Sequence, residues 1–350
     1  MSNTASAAST AVADVHSRCL ELAAARLGVP TAYEWLSRQG KNGSRRRWLR
    51  LDVGARTYFY RAGVLRHGVE EGALGPSING FAQIITGNRI HTKEFLAARG
   101  LSSPVGVLFT PAEWLKAKAF FRALARPMCI KANRRRSGAQ AVARVTDAAA
   151  FIAAFKAIGT RTADIVVEEN VEGEEIRCFY VAPSVVAVRL KRSASVLGDG
   201  TTSIAQLIET GNRERAERAV PGHRPMDIDD DLLADLAGQG LALNDVPAAG
   251  VRITLRGGAG RTNGADSVAC ADSIHPSYVA VATAACQAIP ALVVAAVDLI
   301  VRDRSCPAAL GNHWVLDVIG SPAIADFHHP WEGPVQDVGD AIVRWLMQAR

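Results

Sequence analysis

No run of roughly eighteen uncharged apolar residues occurs in the chain, so no segment reads as a membrane-spanning helix. The opening stretch, Met1 to Ala13, is small and polar and lacks the charged and apolar regions of a secretion signal. It is expected to be a disordered tail. Aromatic residues are only 6% of the chain, too few to interleave with its basic clusters as base-stacking platforms. The six cysteines, Cys19, Cys129, Cys178, Cys270, Cys286 and Cys306, include no C-x-x-C pair. That argues against a zinc site or a disulfide frame and suits reduced thiols in a cytoplasmic protein. Also missing are G-x-x-x-x-G-K-[ST], a post-strand G-x-G-x-x-G, H-E-x-x-H and G-x-S-x-G. P-loop, dinucleotide-binding, zinc-protease and serine-hydrolase readings therefore have no local support.

What is present is a 350-residue chain, 49% hydrophobic and 21% charged, enough for two or three compact lobes. The formal charge of +6 is modest, but two arginine clusters stand out, Arg45-Arg46-Arg47 and Arg134-Arg135-Arg136. The first reads as a solvated face. The second follows an apolar run, Pro127 to Lys131, and favours a nucleotide phosphate over nucleic acid.

Two apolar runs near the C-terminus each carry one acid. Val293 to Val301 contains Asp298, and His313 to Ile319 contains Asp317 before breaking at Gly320-Ser321-Pro322. Both read as central strands. A lone carboxylate there is costly unless it meets a cation or donors. Two of them on neighbouring strands would suit a hard divalent metal; the alternative is a pair of strand-end turn caps.

Helices are expected over 11–27, 78–85, 92–99, 111–125, 147–158, 203–217 and 275–289, with a short helix or turn at 238–246. A hairpin is expected between 47–52 and 57–60, and strands at 105–109, 129–131, 141–145, 164–168, 176–181, 185–190 and 250–255. The mixture is an α+β class.

One stretch is distinctive, Ser195-Val-Leu-Gly-Asp-Gly-Thr-Thr-Ser-Ile-Ala-Gln-Leu-Ile-Glu209, a G-D-G turn opening a helix. After it come Pro247, Arg256 with the glycine-rich 257–264 loop, His275-Pro276, Asp298, and Asp317-Val-Ile-Gly-Ser-Pro322. In order and spacing, residues 76–350 resemble the ATP-grasp ligases of the cyanophycin synthetase type. The resemblance implies an ATP-grasp fold holding the nucleotide between two α+β lobes. It implies a short substrate-side subdomain at 14–87 and the ATP-grasp portion at 88–350, divided into 88–190 and 191–350.

Residue by residue, the resemblance implies that Lys131 and Arg89 meet phosphates, with Lys93 as the alternative to Arg89. Arginine keeps the charge but replaces a point donor with a fork. The hinge Glu168-Glu169-Asn170-Val171 would receive adenine through backbone groups at Glu169 and Val171, and Glu175 would accept the ribose hydroxyls. Arg177 and Arg256 would act at the phosphates or the acyl-phosphate, and Asp298 and Asp317 would hold magnesium. Arg261, Asn263, Ser321 and His328 would face the substrates. The implied cofactors are ATP and Mg2+. The implied reaction joins an amino-acid-like carboxylate to an amine, a single ligation rather than a polymerisation. Dimers are common among proteins of this fold, so a homodimer fits the resemblance, whereas membrane and nucleic-acid partners do not.

Three positions depart from the pattern. Ile319 stands where the family has a metal-binding Asn, Asp317 is one methylene shorter than the usual Glu, and the 133–140 loop has a single glycine. Asp326 or a water would have to complete the metal shell. The alternative these changes leave open is a catalytically impaired ATP-grasp protein that binds nucleotide or a partner without ligating.

Overall fold

A computed structural model describes residues 14–37, 45–69, 73–134, 141–256 and 264–349. The expected tail 1–13 lies outside the described residues. Helix α1 (Val15–Arg26) is capped by Asp14, whose carboxylate accepts from the Ser17 amide. An antiparallel meander of five neighbouring strands follows: β1 (Thr31–Leu36), β2 (Arg46–Val53), β3 (Arg56–Arg61), β4 (Val64–Val69) and β5 (Ala73–Ser77). The expected hairpin is its β2–β3 centre. Two short helices then run, α2 (Ala82–Thr86) and α3 (Arg89–Ala97). The helix expected over 78–85 starts later because 78–81 form a turn.

The next lobe is a four-stranded antiparallel sheet in the order β6-β9-β7-β8. Its strands are β6 (Gly106–Phe109), β7 (Met128–Ala132), β8 (Ala141–Val145) and β9 (Ile165–Glu169). Helices α4 (Trp114–Leu124) and α5 (Ala148–Gly159) cover one face, and Phe121, Phe151 and Phe155 bury there with Met128, Ile130 and Val167. At about 1.5–3 kcal/mol per buried large side chain, this cluster gives the lobe a core of its own.

Strands β10 (Glu174–Val181) and β11 (Ser184–Arg192) begin the central sheet. The chain leaves it for a small unit built from β12 (Ser195–Leu197), α6 (Ile204–Arg218), α7 (Asp230–Ala237) and β13 (Arg252–Thr254). It returns with β14 (Asp266–Ala269), helix α8 (Pro276–Gln287), β15 (Val294–Val301) and β16 (His313–Ile319). Helices α9 (Ala325–His328) and α10 (Val338–Gln348) close the chain. The central sheet order is β14-β11-β10-β15-β16. The division expected at 190/191 therefore falls inside β11. The sheets part at the linker 170–173, between β9 and β10.

The region expected to be helical or turn at 238–246 is turn, at 238–240 and 243–244; helix α7, capped by Asp229, lies before it. The faces of the central sheet differ. One packs Ile176, Cys178, Val297, Leu299 and Val318 under α8. The other packs Phe179, Val181, Val294 and Phe327 against α1 and α10, sharing that core with Leu49, Leu51, Tyr58 and Tyr60 of the meander. Toward the α3 and β6–β9 side, this second face turns polar. All six cysteines are free, and among the described residues no helix is long and apolar enough to cross a membrane.

Candidate active site

The polar half of that face carries one lateral row. Arg189 of β11 pairs with Arg177 of β10, Arg177 with Asp298 of β15, and Asp298 with Asp317 of β16. Directly paired residues put their side chains on the same face, so two cations and two acids stand side by side. A bulge sets this parity. Asp298 faces Asp317, but Leu299 faces Val315, so Leu316 is the extra residue. Val315 and Val318 can then both enter the α8 core while Leu316 and Asp317 turn to the cavity.

Asp298 is 7% exposed and Asp317 6% exposed. Like charges so placed repel, and each is met by an arginine. Arg177 holds Asp298 with a forked pair, Nε to Oδ1 at 2.6 Å and Nη2 to Oδ2 at 2.6 Å. Burial would lower the Arg177 guanidinium, but Asp298 outweighs it and raises it. Arg89, at the start of α3, brings Nε to 3.2 Å from Asp317 Oδ2 and donates Nη1 to the Ala132 carbonyl at 2.5 Å. Burial holds this guanidinium below its ordinary value.

Facing the row across a cavity of about 770 Å³ is the β6–β9 sheet. Glu168 of β9, 2% exposed, lies between two lysines: it pairs with Lys131 of β7, and its Oε2 is 3.1 Å from Lys93 Nζ. Burial alone would raise the Glu168 carboxyl, but the two lysines hold it below its ordinary value. Room for it comes from Gly106, its partner on β6. A Cβ there would lie 2.6 Å from the Glu168 Cβ. Cys129 also lines this cavity, and burial pushes its thiol up to about 11, which keeps it protonated and inert.

Eight expected site residues line this one cavity: Arg89, Lys131, Glu168, Glu169, Val171, Glu175, Asp298 and Asp317. Two of these eight, Glu169 and Glu175, have carboxylates held by other partners, and the remaining expected residues sit elsewhere. The Glu169 carboxylate turns away from Glu168 and accepts from the Val105 amide and from Arg126. Glu175 pairs with Lys191 across β10 and β11. Arg177 lines a neighbouring smaller cavity and reaches the larger one through Asp298.

Arg256 lines neither cavity: its guanidinium is held by Asp229 at 2.6 Å and by the Asp227 carbonyl at 2.9 Å. Ser321 accepts from Gln83 at 3.0 Å, and His328 Nε2 accepts from the Gly339 amide at 3.1 Å, so both are used in packing away from the cavities. Arg261 and Asn263 lie outside the described residues. So do Arg135 and Arg136; Arg134 is 3.6 Å from Asp164 and lines neither cavity. Lys93, the alternative to Arg89, stands behind Glu168 outside the cavity lining. Asp326 pairs with Arg189 rather than joining Asp298 and Asp317. Unanticipated were Lys191 and Arg189, although an arginine inside the apolar run Val185 to Leu190 carries the same signal as Asp298.

The donor set bears on magnesium. Among the described residues no group of three or more potential ligand side chains gathers, and Ile319 adds no donor. Two adjacent buried carboxylates opening on one cavity remain, and magnesium is ordinarily held by one or two carboxylates plus phosphate and water. The acids fit that ion.

Two antiparallel sheets closing on this cavity define the ATP-grasp fold. No family model matches the chain. It is 27% identical over 271 residues to the glutathione biosynthesis bifunctional protein GshAB of Mannheimia succiniciproducens, covering 76% of this chain and 36% of that protein. It is 27% identical over 259 residues to the cyanophycin synthetase of Trichormus variabilis, covering 73% and 28%. Among solved structures, a bifunctional glutathione synthetase from Pasteurella multocida superposes with a TM-score of 0.64 at 23% identity, over 96% of this chain and 44% of that one. The chain thus spans less than half the length of these relatives, which are ATP-grasp ligases.

Proposed function

We propose that this protein is an ATP-dependent carboxylate–amine ligase acting on an amino-acid-like substrate. Adenine lies at the hinge 169–171, the ribose at Glu175, and the phosphates at Lys131 and Arg89. Asp298 and Asp317 hold magnesium. The observation that carries the reading is the convergence of eight residues, drawn from six elements and one linker, on one cavity of about 770 Å³, a nucleotide-sized volume among ordinary ligand sites.

In the reaction, a carboxylate oxygen attacks the γ-phosphorus of ATP, and the bond to the β–γ bridging oxygen breaks, releasing ADP. An amine then attacks the acyl carbon and loses a proton. Phosphate departs with the former carboxylate oxygen, leaving an amide. Such phosphoryl transfer asks a protein for positioning and charge rather than covalent chemistry. Magnesium, when bound, supplies positive charge against the charge that builds on the transferring group. Lys131 and Arg89 bind and neutralise phosphate oxygens. In the free chain Glu168 and Asp317 occupy those cations, so the anion that arrives replaces carboxylates, not water.

The test is ADP release from ATP and magnesium with and without pooled amino acids. Release that depends on the pool, and that Asp298→Asn abolishes, is expected. Nucleotide binding without release would select the non-ligating reading, which Ile319 favours by its lack of a donor atom. Neither binding nor release would sink both.

A further inference from the structure

The β6–β9 lobe carries a cavity of about 730 Å³ on its helical face, opposite the face that lines the larger cavity. It lies between α4 and α5. Phe151 and Phe155, both buried, form its floor; Trp114 and Lys118 stand on the α4 side, and Ile152 and Lys156 on the α5 side. The two helices run antiparallel, and contacts between them close both ends of this slot. At one end Gly159 of α5 meets Pro111, where a Cβ would lie 3.5 Å away. At the other Phe121 of α4 stacks on Phe151, ring centres 4.8 Å apart. From Trp114 to Phe121 the helix advances only about 10 Å. A partner helix therefore has no room to run through, whereas a single small molecule does.

Charge narrows the choice. Lys116, on another face of α4, pairs with Glu113 at 3.0 Å, but Lys118 and Lys156 meet no carboxylate among the described residues. No acid lines the slot. Thr160 spends its hydroxyl on the Ala157 carbonyl at 2.8 Å. Lysines that merely shield apolar surface lay their stems across it; these two flank a space left open. Trp114 is 42% exposed, a large aromatic surface beside two unpaired ammonium groups. Aromatic rings prefer to stack on other rings, and an ammonium group prefers a carboxylate.

We propose that this slot binds an aryl monocarboxylate, its ring against Trp114 and Phe155 and its carboxylate at Lys118 and Lys156. The assignment does not depend on the ligase reading. It does have a consequence for the lobe. Phe151 and Phe155 pack on Met128, Ile130 and Val167, while the alternating residues Cys129, Lys131 and Glu168 line the larger cavity. The ligand thus stabilises the sheet that carries Lys131.

The test is calorimetry on the full chain with ADP and magnesium present, using 2-naphthoate, neutral 2-naphthamide and cationic 2-naphthylmethylamine. Naphthoate should bind at least tenfold more tightly than the amide, with the amine weaker still. It should also raise the melting temperature. In the double variant Lys118→Glu, Lys156→Glu the order should invert, the amine binding at least tenfold more tightly than naphthoate. ADP affinity should stay within twofold, which shows that the variant is folded and that the probe sits outside the larger cavity. No binding of naphthoate to the wild type, equal binding of the amide, or an order unchanged in the double variant overturns the assignment. So does competition between naphthoate and ADP. Sedimentation supplies a last check: self-association of the wild type that the double variant abolishes would give the slot to a second copy of the chain, and the proposal would fail.

Discussion

Glu168 is an anion nearly cut off from water, and two lysines pay its solvation cost. Its carboxyl sits below the ordinary value of 4.5: burial pushes the other way, and Lys131 and Lys93 prevail. The sign of the linkage follows. As pH falls, the unfolded chain takes up this proton first, so the stabilisation is full above about 4.5 and is lost as pH drops through the lower, folded value. Glu168→Gln leaves two buried ammonium groups facing a neutral amide. The variant should lose about 3–5 kcal/mol at pH 7, the usual cost of breaking a buried pair from one side. Melting temperatures of the two proteins should converge below pH 4.5, and a gap that stays constant from pH 7 to pH 3 would show that the charge is not what matters.

At the level of elements, strands of the central sheet were legible where a branched apolar run was long enough to bury on both faces, as in β15. The strands β1, β4, β5 and β14 were not foreseen. Segments such as Val64-Leu-Arg-His-Gly-Val69 and Ala73-Leu-Gly-Pro-Ser77 take their form from the neighbour they pair with, not from their own pattern. Helix α7 was not foreseen; it begins after Asp229, an N-cap whose carboxylate accepts from the Leu232 amide. That miss explains the fate of Arg256: the side chain expected at the phosphates is tied to that cap. The cavity-lining residues that were legible, Lys131, Asp298 and Asp317, are charges interrupting apolar strands. The Leu316 bulge and the pairing of Arg189 with Asp326 arise only from register and tertiary contact.

Gly173, at the end of the linker between β9 and β10, marks the next constraint. Its φ is +151°, and a Cβ would lie 2.5 Å from the Val301 carbonyl oxygen. Gly173→Ala must displace either β15 or the linker, a strain of about 1–3 kcal/mol. The linker lines the larger cavity, where the nucleotide is proposed to bind, so the variant should show both a lower melting temperature and weaker ATP binding. A change in stability alone would separate the linker from the nucleotide site.

Across the whole molecule, the larger cavity, the proposed nucleotide site, lies between cores that do not merge. The aromatic cluster under α4 and α5 belongs to the β6–β9 sheet, while the central sheet shares its cores with α8 on one face and the meander on the other. Polar contacts bridge the cavity's two sides at α3, where Arg89 meets both Asp317 and Ala132, and through the linker 170–173. Separate cores joined by a few polar links favour separate unfolding units. In scanning calorimetry the free protein should therefore show two overlapping transitions, the β6–β9 lobe melting first. A nucleotide touching both walls stabilises only the state in which both are folded, by about 2.7 kcal/mol at a hundred times its dissociation constant. Adding ADP and magnesium should raise the lower transition toward the upper one until a single peak remains. If the lower transition stays where it is while the upper one moves, the nucleotide binds the central sheet alone, and the assignment of Lys131 to phosphate falls with it.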